Sequence, residues 1–181
     1  MNLTASTHPL ITWTEAGVAC SARWRSESGI PAPKRVVIAD DRTTADAAYR
    51  LARTGTAMLW RGDFQNARQL LQALTRRAES KPRPQKASAA SRPASTSPTE
   101  AFNLYRQAQF RRARTLAMLL LPLEADYSIP LRRAPDLRQA CVEAYGPGDG
   151  PSVVSLRELL GLIGAHEWRK KGVEVPVLGA R

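Results

Sequence analysis

Acid, histidine and cysteine are scarce in this chain, and each shortage removes a class of chemistry. Against 27 Lys and Arg stand only 16 Asp and Glu in 181 residues, a net charge of +11. Two histidines (His8, His166) and two cysteines (Cys20, Cys141) are too few and too scattered for a zinc cluster. With no CxxC pair there is no disulfide framework, and two isolated thiols suit a reducing compartment, as small apolar side chains. His166-Glu167 would open a zinc-protease helix motif, but Lys170 stands where the second histidine belongs. Long apolar runs are also missing. The longest, Leu116–Leu121 and Leu159–Ala165, fall far short of the ~20 residues that cross a bilayer. Met1–Leu10 is polar and lacks the apolar centre of a secretory signal. The expectation is a cytoplasmic protein with neither membrane nor metal partner.

Phosphate loops and paired-acid sites are absent by the same reasoning. Gly146-Pro147-Gly148-Asp149-Gly150-Pro151 lacks the lysine of a phosphate loop and reads as a turn. Asp40-Asp41 closes an apolar strand, as the first acid pair of receiver domains does. The further aspartate and lysine of that fold have no room before residue 80, so these acids are expected to form a turn or to charge the next helix's N-terminus.

What is present divides the chain in two. Ser80–Thr99 holds four prolines, five serines, four alanines, four Lys or Arg and no acid. Such a stretch cannot offset its ordering entropy by burial and reads as a flexible linker. Residues 1–79 read as a small α/β unit. Pro9–Trp13 and Val18–Trp24 are short strand candidates, and Lys34–Ala39 is a β-branched strand. Thr43 with Asp46 predicts a helix start and Gly55 its end, followed by a strand over Thr56–Trp60. Phe64, Ala67, Leu70, Leu71 and Leu74 recur at helical spacing up to Ala78. Residues 100–181 read as a helical unit: a long helix from Thr99-Glu100 to Pro122, a short one over Asp136–Tyr145, and a third from a Ser155/Glu158 capping box to Lys171, with Val173–Leu178 extended. The fold class expected is α+β, mainly helical, without a complete Rossmann-like fold. Trp60 and Trp168 are expected in the core or at a contact between the units.

Charge is concentrated at the junction. From Arg76 to Arg114 ten Lys or Arg face two acids, Glu79 and Glu100, so +8 of the +11 lies within 39 residues. Basic helix ends on either side of a basic tether suit a sequence-independent hold on phosphates, which makes Arg76, Arg77, Arg106, Arg111, Arg112 and Arg114 the candidate nucleic-acid contacts. No RNA-recognition aromatic motif, KH loop or zinc-finger spacing accompanies them, so base reading is not implied. Solvated, solubilising charge is the competing reading.

Two stretches carry a family resemblance. Thr44–Ala52 with Leu59-Trp60-Arg61-Gly62-Asp63-Phe64 through Leu74, and Ser155–Gly161 through His166-Glu167-Trp168-Arg169-Lys170-Lys171-Gly172-Val173, resemble the N-terminal region of bacterial class I S-adenosylmethionine-dependent methyltransferases of the "small" methyltransferase type. The resemblance implies a methyltransferase whose cofactor is S-adenosylmethionine. The family's acidic residue with glycine-rich turn and its Asn/Asp-Pro-Pro-aromatic loop do not occur here, so the catalytic domain is expected beyond Arg181 and no cofactor is expected to bind this chain alone. The implied role is an accessory portion that presents substrate, RNA by its charge, to that missing domain. The alternative is a stand-alone interaction or nucleic-acid-binding module whose amphipathic helices at Phe64–Ala78 and Phe102–Leu121 dock a partner.

Overall fold

The computed structural model describes residues 9–79 and 97–172. Strands β1 (Leu10–Glu15), β2 (Val18–Arg25) and β3 (Arg35–Ala39) lead to helix α1 (Ala45–Arg53), strand β4 (Thr56–Trp60) and helix α2 (Phe64–Glu79). Helix α3 (Pro98–Leu116), strand β5 (Leu119–Leu123), helix α4 (Arg138–Tyr145), strand β6 (Ser152–Ser155) and helix α5 (Leu156–Lys171) complete the order. The fold is mixed α/β.

All six strands share one sheet, in the order β1-β2-β6-β5-β4-β3. The β1–β2 hairpin turns through Ala16 and Gly17, both at positive φ (49° and 79°), which is the geometry a two-residue type I′ turn demands. β2 runs parallel to β6, β6 antiparallel to β5, and β5, β4 and β3 run parallel. The sheet curls until β1 comes beside β3, forming a near-barrel. Arg61, just after β4, bridges to Glu15 at the end of β1 through two bonds of 2.9 and 2.6 Å.

The separation expected at residues 80–99 is therefore one of chain and not of fold. β5 and β6, from the second half, lie between β2 and β4 of the first. The second half is helical only in part, because Leu119–Leu123 is a strand and not the end of the long helix. Every residue of β4 and β6 is buried, as are Leu119, Leu120, Leu121 and Leu123 of β5. Strands covered on both faces lose the alternating pattern that marks a half-exposed strand. Pro122 is tolerated because pairing with β4 ends at Leu120, so its missing N–H takes nothing from that ladder.

Helix starts follow local chemistry, with small shifts from expectation. Thr44, and not Thr43, caps α1 by accepting from Ala47 N–H at 3.3 Å, while Thr43 Oγ1 accepts from Asp40 N–H. α3 begins inside the stretch read as linker: Ser97 and Glu100 form a reciprocal capping box and Pro98 occupies the first turn. Residues 80–96 lie outside the described residues, as does the extended stretch expected over Val173–Leu178. The box expected at Ser155 does not form. Glu158 instead accepts from Ser26 Oγ (2.9 Å), Glu27 N–H (2.7 Å) and Tyr145 Oη (2.7 Å), tying α5 to the loop after β2.

Both thiols are free. Cys141 is fully buried under the sheet, and burial pushes its thiol up to about 11. Only Cys20 is expected to react with a maleimide in native protein at neutral pH, because thiolate is the reacting form. Mass spectrometry after brief labelling should find one adduct; rapid modification of both would contradict the packing around Cys141.

Candidate nucleic-acid interface

Helix α3 carries the surface of interest. Its residues 98–110 are exposed throughout, and only its last turns settle against α1 and α2. An exposed helix so poor in apolar periodicity would ordinarily display only polar groups. This one displays Phe102 (58% exposed), Leu104, Tyr105 (62%) and Phe110 (70%), interleaved with arginines. The Arg106 guanidinium lies 5.8 Å from the Phe102 ring, one helical turn away, within reach of a cation–π contact.

The six candidate arginines do not form one patch. Arg77 donates to Asp46 at 2.9 Å, joining α2 to α1, and Arg112 pairs with Glu79, joining α3 to α2. These two position helices. Arg76 is exposed in the last turn of α2, where its charge complements the helix dipole. Arg106, Arg111 and Arg114 remain exposed on α3, and no carboxylate among the described residues pairs with them. Arg106 and Arg111 flank Phe110 on the outer side of the helix. Arg114 reaches the other way, over the C-terminal turn of α1; a side chain at Gly55 would meet its Nη2 at 3.4 Å.

Sequence reasoning missed the wall opposite α3. A cleft of about 490 Å³ lies between that helix and the Ile30–Arg35 segment leading into β3. Its apolar lining includes Pro31, Pro33, Phe110 and Met118, and its charged lining is Lys34, Arg35 and Arg114 without any acid. The available signal was Pro31-Ala32-Pro33-Lys34-Arg35, an extended basic segment whose proximity to α3 only the tertiary fold reveals.

The acids are committed elsewhere. Asp63 starts α2 by accepting from Gln65 N–H at 2.8 Å and from Arg133 Nε at 2.7 Å. The Arg133 bond, reinforced by Gln65, outweighs burial and holds the Asp63 carboxyl below its ordinary range. Asp41 accepts from Asp63 N–H and Asn66 Nδ2, and fills the space a side chain at Gly62 would need. Buried Arg25 pairs with Asp149, which it shares with Arg23, and its guanidinium lies 5.6 and 5.8 Å from the Tyr127 and Tyr145 rings. Desolvation would raise the Asp149 carboxyl, but the Arg23 hydrogen bond and the Arg25 charge prevail and lower it. Burial, helped by the bond to Glu158, pushes the Tyr145 phenol well above its ordinary value. His166 Nδ1 and Arg169 Nη1 both lie 2.9 Å from Glu143 Oε2, a clasp between α5 and α4. Trp168 is 69% exposed and not a core residue, whereas Trp60 is buried as expected.

Among the described residues no group of three or more His, Cys, Asp or Glu could hold a metal, and no helix is long and apolar enough to cross a membrane. Among the described residues the strand ends lack the features of a dinucleotide-type crevice. β3, β4 and β5 follow one another across the sheet in chain order, without the reversal that opens a nucleotide crevice in doubly wound sheets. The turn after β3 has no glycine, and the space beside Gly62 after β4 is occupied by Asp41. Comparison with protein-family models, curated proteins and solved structures finds no match for the chain.

Proposed function

We propose that this chain is the accessory, substrate-presenting portion of an S-adenosylmethionine-dependent methyltransferase, and that the substrate it holds is RNA. The methyltransferase half of the reading rests on the resemblance carried by Thr44–Leu74 and Ser155–Val173. The RNA half rests on one observation: Arg106, Arg111 and Arg114 stand on an exposed helix with no acid paired to them among the described residues. A cation without a carboxylate partner is available to a phosphate at little desolvation cost, and several such cations on one helix give affinity without sequence preference.

The test is a titration of the chain against labelled RNA across a salt series. Binding is expected at low salt and should weaken steeply as salt rises. Binding that is absent at low salt, or indifferent to salt, removes the RNA role.

A second reading draws on the same helix. Phe102, Leu104, Tyr105 and Phe110 are an apolar surface that a protein partner could cover. The α2 stripe expected to serve that role does not: Phe64, Ala67, Leu70, Leu71 and Leu74 are core residues. A salt-insensitive complex that depends on α3 would favour this reading.

A further inference from the structure

We infer that the cleft between α3 and the Ile30–Arg35 segment receives an unstacked base of single-stranded nucleic acid, with Phe110 as the stacking surface. The inference rests on the RNA reading above and gives it a strand preference.

Three observations converge. First, the cleft is about 490 Å³, within the ~300–1,000 Å³ range of sites that enclose a small planar ligand. Its walls are two prolines on one side and the end of a helix with Met118 on the other. Second, Phe110 lines the cleft while leaving 70% of its surface exposed. An aromatic ring exposed in that position lowers solubility unless a flat partner covers it, and every base has such a face. Third, the charges are matched to a phosphodiester and to little else. Lys34, Arg35 and Arg114 lie on the lining, no acid does, and none of the three has a carboxylate partner among the described residues.

Charge at the helix terminus explains one cation but not the set. Arg114 lies over the C-terminal turn of α1 and gains from that helix's dipole. Lys34 and Arg35 come from the opposite wall and have no such reason to be there. On α3 itself three rings (Phe102, Tyr105, Phe110) and three cations without a carboxylate partner among the described residues (Arg106, Arg111, Arg114) are interspersed along about 18 Å of helix, at 1.5 Å per residue. A single strand likewise offers bases and phosphates side by side, with the bases turned out. A duplex presents phosphates, 2′-hydroxyls and groove edges, but its base faces are stacked on each other and out of reach of Phe110. An acidic protein would satisfy the cations yet has no reason to place a planar group in the cleft.

The experiment compares two probes on the whole 181-residue chain. One is a fluorescein-labelled single-stranded RNA of about 12 nucleotides without self-complementarity, within the span of single-strand grooves. The other is the same RNA annealed to its complement, at the same moderate salt. The single strand should bind about tenfold or more tightly than the duplex, and Phe110→Ala should remove about tenfold of single-strand affinity while leaving duplex binding unchanged. Phe110→Tyr, which keeps the ring, should restore it. Because Phe110 is exposed, neither substitution threatens the fold, which circular dichroism checks. Equal binding of both probes with no effect of Phe110→Ala overturns the cleft inference and leaves the electrostatic RNA reading standing. No RNA binding of either kind overturns both. Self-association or capture of an acidic protein that depends on Phe110, without RNA affinity, also overturns it and assigns the surface to protein docking.

Discussion

Residues 1–79 expressed alone should be unfolded, and so should residues 97–181; mixing the two should restore the native far-ultraviolet and amide spectra. The reason is the strand order. In the first fragment β2 and β4 would each lose the neighbour that β6 and β5 supply, leaving a hairpin and a parallel pair with no strand ladder between them. Two-stranded units are marginal in water. The first fragment would also expose Met58, Leu59 and Trp60, which are fully buried only because β5 and the helices cover them. The effect is loss of the whole domain stability, ~5–15 kcal/mol for a unit of this kind. The intact chain should accordingly melt in a single transition. A dispersed amide spectrum from the first fragment alone, or two separate transitions in the intact chain, would contradict the shared sheet.

Trp60→Ala should be the most damaging single substitution in that sheet. The side chain is 1% exposed at the end of β4, and its Nε1–H donates to the Asp63 carbonyl at 3.0 Å in a buried setting. Truncation leaves a cavity and removes one of the two hydrogen bonds the Asp63 carbonyl accepts, the Ala67 N–H bond at 3.0 Å remaining. Large-to-small changes of this kind cost ~3–5 kcal/mol, which for a chain of this size lowers the melting temperature by on the order of 10 °C. Trp60→Phe should recover most of the packing and none of the hydrogen bond. Trp168→Ala, on the exposed face of α5, should stay within ~0.5 kcal/mol. Calorimetry or denaturant melts distinguish the three; equal effects at Trp60 and Trp168 would mean that β4 is not central.

Much of the first half was legible because its signals are local. The cap before α1 (expected at Thr43 and found one residue later at Thr44), Gly55 at φ +79° and the Phe64–Leu74 periodicity each specify a boundary or a face within a few residues. β5 and β6 were not, for the opposite reason. Leu119–Leu121 follows an arginine-rich helix without interruption, and its consecutive leucines fit a buried helix as well as a strand covered on both faces. β6 has four residues, two of them serines, so no pattern could declare it. Glu158 stood at a capping-box position, but three donors from the β2 loop and Tyr145 prevail over the helix N-terminus. The candidate interface shows the same division. The arginines of α3 were visible in the charge run, whereas the cleft depends on Lys34 and Arg35 meeting Arg114 across more than seventy residues of chain. Which arginines are committed to Asp46 and Glu79 is likewise a tertiary fact.

Whether α3 is the RNA-binding element is decided by the salt slope of RNA binding in the variant Arg106→Gln, Arg111→Gln, Arg114→Gln. These three exposed side chains pair with no carboxylate among the described residues, so the fold should be unchanged. Each arginine that no longer neutralises a phosphate reduces the slope of log affinity against log salt by ~0.7 for a single strand, so the triple variant should show a slope shallower by about 2. Arg77→Gln with Arg112→Gln, at the interhelical ion pairs, should lower stability and leave the slope nearly intact. If the triple variant keeps the wild-type slope, α3 does not make the proposed RNA contacts.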